Sequence, residues 1–180
     1  FDCLSRSPRV DPPCAIGYSG KKWVFVAFCG KAFVAKQLFQ GASALTLDGK
    51  GRLALPTRHR DALLATAEGP LTLTKHPVGA LMLFPAPAWE RFSERVAGLP
   101  FSAAAWKRVF LGNASEVEAD GSGRVLVPPE LRQFAGLTRD LTLLGMGSHF
   151  ELWDSARYAA HEAQVLNTPM PDALLELVTV

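Results

Sequence analysis

The chain has 180 residues, enough for one ordinary domain or two small ones. Hydrophobic residues make up 48% and charged residues 20%, an ordinary globular balance, and no apolar run approaches the roughly 18 residues of a membrane span. Formal net charge is only +2, with a pI of about 8.5, so bulk charge makes no case for a nucleic-acid partner; a local basic site would have to make it.

Taken from the start, residues 1–36 differ from the rest. They hold six Lys/Arg against two Asp/Glu, net +4, which leaves net −2 over residues 37–180. All three cysteines, Cys3, Cys14 and Cys29, lie here, and their spacing fits no common zinc pattern, so they read as unrelated thiols. The run Trp23 to Phe28 is a candidate edge strand at most. No ordered sequence of charged, apolar and small-residue regions marks a secretory signal, so a cytoplasmic protein is expected.

From residue 42 onward an internal repeat organises the chain. Asp48-Gly-Lys-Gly-Arg-Leu-Ala-Leu-Pro56 recurs 72 positions later as Asp120-Gly-Ser-Gly-Arg-Val-Leu-Val-Pro128. The register extends back to Ala42-Ser43 and Ala114-Ser115, and forward to Arg60 and Arg132.

In copy one, a strand over Ala44–Leu47 leads into the turn Asp48 to Gly51, where Asp accepts hydrogen bonds and Gly tolerates positive φ. A second strand, Arg52–Leu55, returns and is stopped by Pro56. A helix over Arg58–Ala65 follows, with Thr57 as its cap and Ala62, Leu63 and His59 on one side. Strands Leu71–Lys75 and Ala80–Phe84 complete the copy.

An amphipathic helix, Pro87–Ala97, then carries Trp89, Phe92 and Val96 in one stripe. A further helix, Ala103–Leu111, carries Trp106, Val109 and Phe110. Buried core is the expected role of these aromatics. Copy two repeats the plan with strands Glu116–Ala119 and Arg124–Val127, helix Pro129–Phe134 ending by Gly136, strands Leu141–Leu144 and Phe150–Trp153, and a closing helix Ser155–Val165. A unit of about 45 residues buries too little surface to stand alone, so two in tandem are expected to share a core as a pseudo-dimer.

These stretches, together with Phe39-Gln-Gly-Ala-Ser43, Leu111-Gly-Asn-Ala114 and Gly145-Met-Gly-Ser-His-Phe-Glu-Leu-Trp-Asp154, resemble the MraZ family of bacterial regulators over about residues 38–180. The resemblance implies a mainly β fold with helices (α+β), built from two tandem AbrB-like swapped-hairpin units. The segments are then 1–37 as an unassigned extension, 38–86 as the first unit, 87–110 as a helical linker, 111–154 as the second unit and 155–180 as a closing helix and tail. It further implies a ring-shaped homo-oligomer, associated with the nucleoid, that binds double-stranded DNA at short G-rich direct repeats upstream of its own operon, in the division and cell-wall gene cluster. The Asp-x-x-x-Arg turns, Asp48/Arg52 and Asp120/Arg124, carry recognition in that family. Residues 1–36 lie outside the resemblance and are expected to be loosely attached and dispensable.

The residues give their own reason for such a role. A hairpin end is narrow enough to approach a groove, and a guanidinium bridges guanine O6 and N7. Lys50 at the first tip adds a phosphate contact where copy two has Ser122, and Arg58, Arg60 and Arg132 on the following helices thicken the basic face. The competing reading is that Arg52 only pairs with Asp48, and Arg124 with Asp120, to fix each turn.

Enzyme readings find no support: His59, His76, His149 and His161 are scattered, Gly145-Met-Gly147 lacks a third glycine, and no nucleophile elbow surrounds Ser43 or Ser115. No cofactor, metal, membrane or small-molecule substrate is expected. An oligomeric scaffold, or an antitoxin-like protein binder on the same hairpin fold, is the alternative function.

Overall fold

The computed structural model describes residues 18–19, 22–23, 39–66, 69–172 and 174–175. The chain divides into two compact units, residues 1–36 and residues 37–180. In the first, β1 (Tyr18–Ser19) pairs antiparallel with β2 (Lys22–Trp23). The three cysteines and residues 24–28 of the candidate edge strand lie outside the described residues, as does the expected looseness of this segment.

The second unit runs β3 (Phe39–Thr46), β4 (Arg52–Ala54), α1 (Thr57–Thr66), β5 (Leu71–Lys75), β6 (Leu81–Phe84), α2 (Ala86–Ala97), a 3-10 turn (Phe101–Ala103) and α3 (Ala104–Phe110). It continues through β7 (Ser115–Val117), β8 (Arg124–Leu126), α4 (Pro129–Ala135), β9 (Asp140–Gly147), β10 (Phe150–Asp154) and α5 (Ser155–Leu166). Local chemistry sets the helix ends. Pro129 opens α4, and Gly136, at φ 59°, closes it in the left-handed conformation. Asp154 caps α5 by accepting from the backbone N–H groups of Ala156 and Arg157, and also takes the hydroxyl of Thr138 at 2.6 Å.

The strands do not stay within their own copies. A six-stranded antiparallel sheet has the order β3-β9-β10-β6-β5-β7, so each copy's first strand pairs with a strand of the other copy: β3 on β9, β7 on β5. The second strands, β4 and β8, leave that sheet and pair with each other, centred on Leu53 opposite Val125. Between the two arms of each turn only single bridges remain, Leu47 to Leu53 and Ala119 to Val125. This is the expected swapped-hairpin pseudo-dimer. Its pseudo-two-fold axis passes between β6 and β10 in the large sheet and through the centre of the β4–β8 ribbon.

Strand exchange also explains the lengths. The first strand begins at Phe39, five residues before the expected Ala44, and β9 runs to Gly147 where Leu144 was expected; each is eight residues long and they pair along their whole length. Beyond Phe39, β3 has no buried residue, so hydrogen bonding to β9 defines it and no apolar alternation announces it.

The main core lies between one face of the large sheet, the ribbon, and helices α1 and α4. Leu53, Leu55, Val125 and Val127 point into it from the ribbon, and Leu63 and Leu131 from the helices. Each such side chain contributes about 1.5–3 kcal/mol on full burial. The opposite sheet face holds Met82 and Phe84 against α2, where Trp89 and Phe92 pack as expected, and Phe110 of α3 closes the cluster. Trp106 departs from expectation. It is 50% exposed and stacks on Phe110, because α3 is short and presents only one edge to the sheet.

Candidate nucleic-acid interface

Each Asp-x-x-x-Arg turn closes through a backbone hydrogen bond from Gly51 N to Asp48 O, or from Gly123 N to Asp120 O, at 2.9 and 2.7 Å. The fourth turn residue adopts positive φ, 80° at Gly51 and 73° at Gly123, as expected when a tight turn is followed by a one-residue bulge. The side chain of Asp48 then organises the loop. Its Oδ1 accepts from Lys50 N and Arg52 N, and its Oδ2 accepts from Arg52 Nε at 2.8 Å, with Arg52 Nη2 equally close. Asp120 repeats the pattern with Ser122 N, Arg124 N and Arg124 Nε.

The backbone N–H of Arg52, with its guanidinium, holds the Asp48 carboxyl down to about 2, and Arg124 lowers Asp120 in the same way. Both carboxylates are therefore charged at neutral pH. Only part of each guanidinium is used. Arg has five N–H donors, so among the described residues the terminal Nη edge of Arg52 keeps donors to meet an incoming acceptor pair.

The two turns are mutually supported. Leu55 N donates to Gly123 O and Val127 N to Gly51 O, both at 2.9 Å, so the carbonyl of each bulge glycine anchors the other copy's strand. Arg60 from α1 crosses to the second turn, donating to Ser122 O at 3.3 Å, while Arg132 from α4 lies over Gly51 of the first. A Cβ on Gly51 would stand 2.5 Å from Arg132 Nη1, and one on Gly123 would stand 2.3 Å from Arg60 Cδ. Each glycine is thus both a φ position and the seat of an arginine from the other copy. Sequence reasoning missed this second role, since the partners are 63 and 81 positions apart.

Of the sequence-derived site residues, Asp48, Lys50, Arg52, Asp120 and Arg124 gather at the two turns of one ribbon. Lys50 is exposed at the first tip. Arg60 underlies the second turn. Arg58 is placed elsewhere: its guanidinium donates to Ala42 O and Ser43 Oγ on β3. His59 belongs to the core, packed edge-on to Phe150 and Phe39, with its Nε2 buried and unpartnered among the described residues.

The other histidines are less scattered than their spacing suggests. His76 stands 3.6 Å from Glu151, whose second oxygen takes the Trp153 indole N–H, and His149 stacks on Phe84. Among the described residues, no three His, Cys, Asp or Glu side chains stand close enough to hold a metal ion, and no helix is long and apolar enough to cross a membrane.

Comparison with known proteins agrees with the duplicated architecture. The family profile described as "MraZ protein, putative antitoxin-like" matches twice in tandem, over residues 38–109 and 110–176. The chain belongs to the MraZ family. A transcriptional regulator MraZ of Methylibium petroleiphilum is 65% identical over 141 residues, 78% of this chain and 97% of that one. Another from an Acidovorax species is 67% identical over 135 residues, 75% and 95% of the two chains, and one from Ralstonia nicotianae is 64% identical over 137, 76% and 96%. These MraZ relatives are named as regulators, not as enzymes.

Proposed function

We propose that this chain is a sequence-specific, DNA-binding transcriptional regulator that reads promoter DNA with the β4–β8 ribbon and its two turns. The observation that carries the reading is the pair of Asp-braced arginines, Arg52 and Arg124, on the exposed face of one ribbon and related by its pseudo-two-fold axis. A two-stranded ribbon fits the major groove, and an oriented guanidinium is the commonest reader of guanine there. Asp48 and Asp120 are positioning residues in this scheme. Lys50 contacts phosphate, and Arg60 stiffens the second turn. The relatives' name, transcriptional regulator, supports the same reading.

The finer statement follows the family resemblance. The chain works in the cytoplasm, associated with the nucleoid, as a ring-shaped homo-oligomer on short G-rich direct repeats upstream of its own operon, in the division and cell-wall gene cluster. The described unit has no large basic surplus, so affinity has to come from several subunits acting on spaced repeats. Linkage of that kind raises avidity by about 10²–10⁴, and affinity should collapse when several repeats are reduced to one.

The deciding experiment titrates the wild type, Arg52→Ala and Arg124→Ala with duplex DNA from upstream of the protein's own coding sequence, beside thermal melting and size-exclusion. Loss of about 1–3 kcal/mol of binding per subunit with assembly intact is the expected result for Arg52→Ala, and an equal or smaller loss for Arg124→Ala. Unchanged DNA binding would remove the ribbon as the reading head. The family description's word "antitoxin-like" favours one other reading, a protein-binding module on the same fold, for which the titration would be flat with the wild type itself.

A further inference from the structure

The outward face of the ribbon carries four side chains. Arg52 and Ala54 stand on β4, Arg124 and Leu126 on β8, with Arg52 opposite Leu126 and Ala54 opposite Arg124. The pseudo-two-fold axis relates Arg52 to Arg124 and Ala54 to Leu126, so the first pair is symmetric and the second is not. Every inward neighbour (Leu53, Leu55, Val125, Val127) is buried, whereas Leu126 is 52% exposed. The outward positions of a half-buried ribbon are polar where folding alone decides. Leu126 lies outside the core cluster, and it sits opposite the Asp-braced guanidinium of Arg52.

We propose that Leu126 is a specificity-determining residue of the interface, packing on the 5-methyl group of a thymine in the major groove next to the base met by Arg52. The proposal rests on the DNA-binding reading above. Thymine alone among the four bases presents a methyl group in that groove, and an apolar side chain is what rewards it. The guanidinium edges left over from the Asp pairs favour DNA on this face, with Arg52 directly across the ribbon from Leu126 and Arg124 two residues before it on β8. The consequence is direction. With Leu126 opposite Arg52 but Ala54 opposite Arg124, base contacts add to the difference between Lys50 and Ser122 at the tips, and the ribbon favours one orientation of a non-palindromic element.

The test uses the full chain and a duplex spanning the region upstream of its own coding sequence, made with thymidine or with deoxyuridine throughout. The wild type should bind the deoxyuridine duplex about fourfold more weakly per contacting subunit, the worth of one methyl-sized apolar contact. Leu126→Ala should bind the thymidine duplex that much more weakly and lose nothing further to uracil. Equal wild-type affinity for both duplexes overturns the proposal, and that arm needs no variant. So does a Leu126→Ala protein that keeps its uracil sensitivity, or one whose oligomer size changes, which would assign Leu126 to a contact between copies. Arg52→Ala separates the two levels. If it binds neither duplex while the wild type binds both equally, only Leu126 loses its role; if it binds both as the wild type does, the ribbon is not the reading head and this inference falls with that reading.

Discussion

Gly49 and Gly51 stand two positions apart in the same turn, yet their tolerance of a side chain should differ sharply. Nothing lies within 4 Å of a Cβ placed on Gly49, and its φ is not positive, so Gly49→Ala should change stability by no more than about 0.5 kcal/mol. Gly51→Ala meets both a left-handed backbone and the Arg132 guanidinium, and should cost at least about 1–2 kcal/mol. Urea unfolding of the two variants checks this, and equal midpoints would refute it. Acid titration tests the carboxylates of the same turns. An unfolded Asp takes up its proton near pH 4, whereas folded Asp48 holds off until about 2, so the stability it lends is present above pH 4 and is lost as pH falls toward 2. An Asp48→Asn, Asp120→Asn double variant should therefore melt below the wild type at pH 7, with the gap closing toward pH 2. A gap that persists into acid would mean the carboxylate charge is not what steadies the turn.

At the scale of elements, α1 and α4 are the same helix in the two copies, with one telling difference. Position 59 is His where position 131 is Leu, and both are buried in the shared core. Burial first, and the charge of Arg58 second, hold the His59 imidazole below its ordinary pKa. The unfolded chain protonates this histidine near pH 6.5 and the folded one resists, so its neutral burial costs stability increasingly as pH falls below 6.5. His59→Leu should consequently stabilise the protein more at pH 5 than at pH 8, read from thermal melts across that range; a constant increment would point to packing alone. The ribbon is the other sensitive element. Leu53→Ala removes the central inward side chain opposite Val125 and should cost about 2–5 kcal/mol in denaturant unfolding.

For the molecule as a whole, strand exchange makes the two copies interdependent. Residues 38–99 alone would carry β3 without β9, β6 without β10, β5 without β7 and β4 without β8, leaving four strands short of a partner and an open core. Such a fragment is expected to show no cooperative melt by circular dichroism, while mixing it with residues 100–180 should restore one. A cooperative transition in the isolated fragment would show that a single copy suffices, for instance by pairing with itself. The same interdependence couples the reading face to the core: anything that parts Leu53 from Val125 also parts Arg52 from Arg124.

How much of this was legible beforehand follows from where each contact is made. The Asp48–Arg52 and Asp120–Arg124 turns were written within five residues and written twice, so their internal pairing and the glycines at positive φ could be read directly. Strands β5, β6 and β10 were apolar runs of strand length with turn residues beside them, and their bounds differ from expectation by at most one residue. The full length of β3 and β9, the exposure of Trp106, the approach of His76 to Glu151, and the reach of Arg60 and Arg132 to the opposite copy's glycines left no local mark. Sequence by itself therefore determined the parts and their duplication, because turn chemistry and apolar periodicity act over a few neighbouring residues. Only the tertiary structure decided which strand of one copy would hydrogen-bond which strand of the other, and so which four side chains share the ribbon's outward face. Those pairings join residues about 40 to 110 positions apart, and their energy comes from a core that neither copy can close alone.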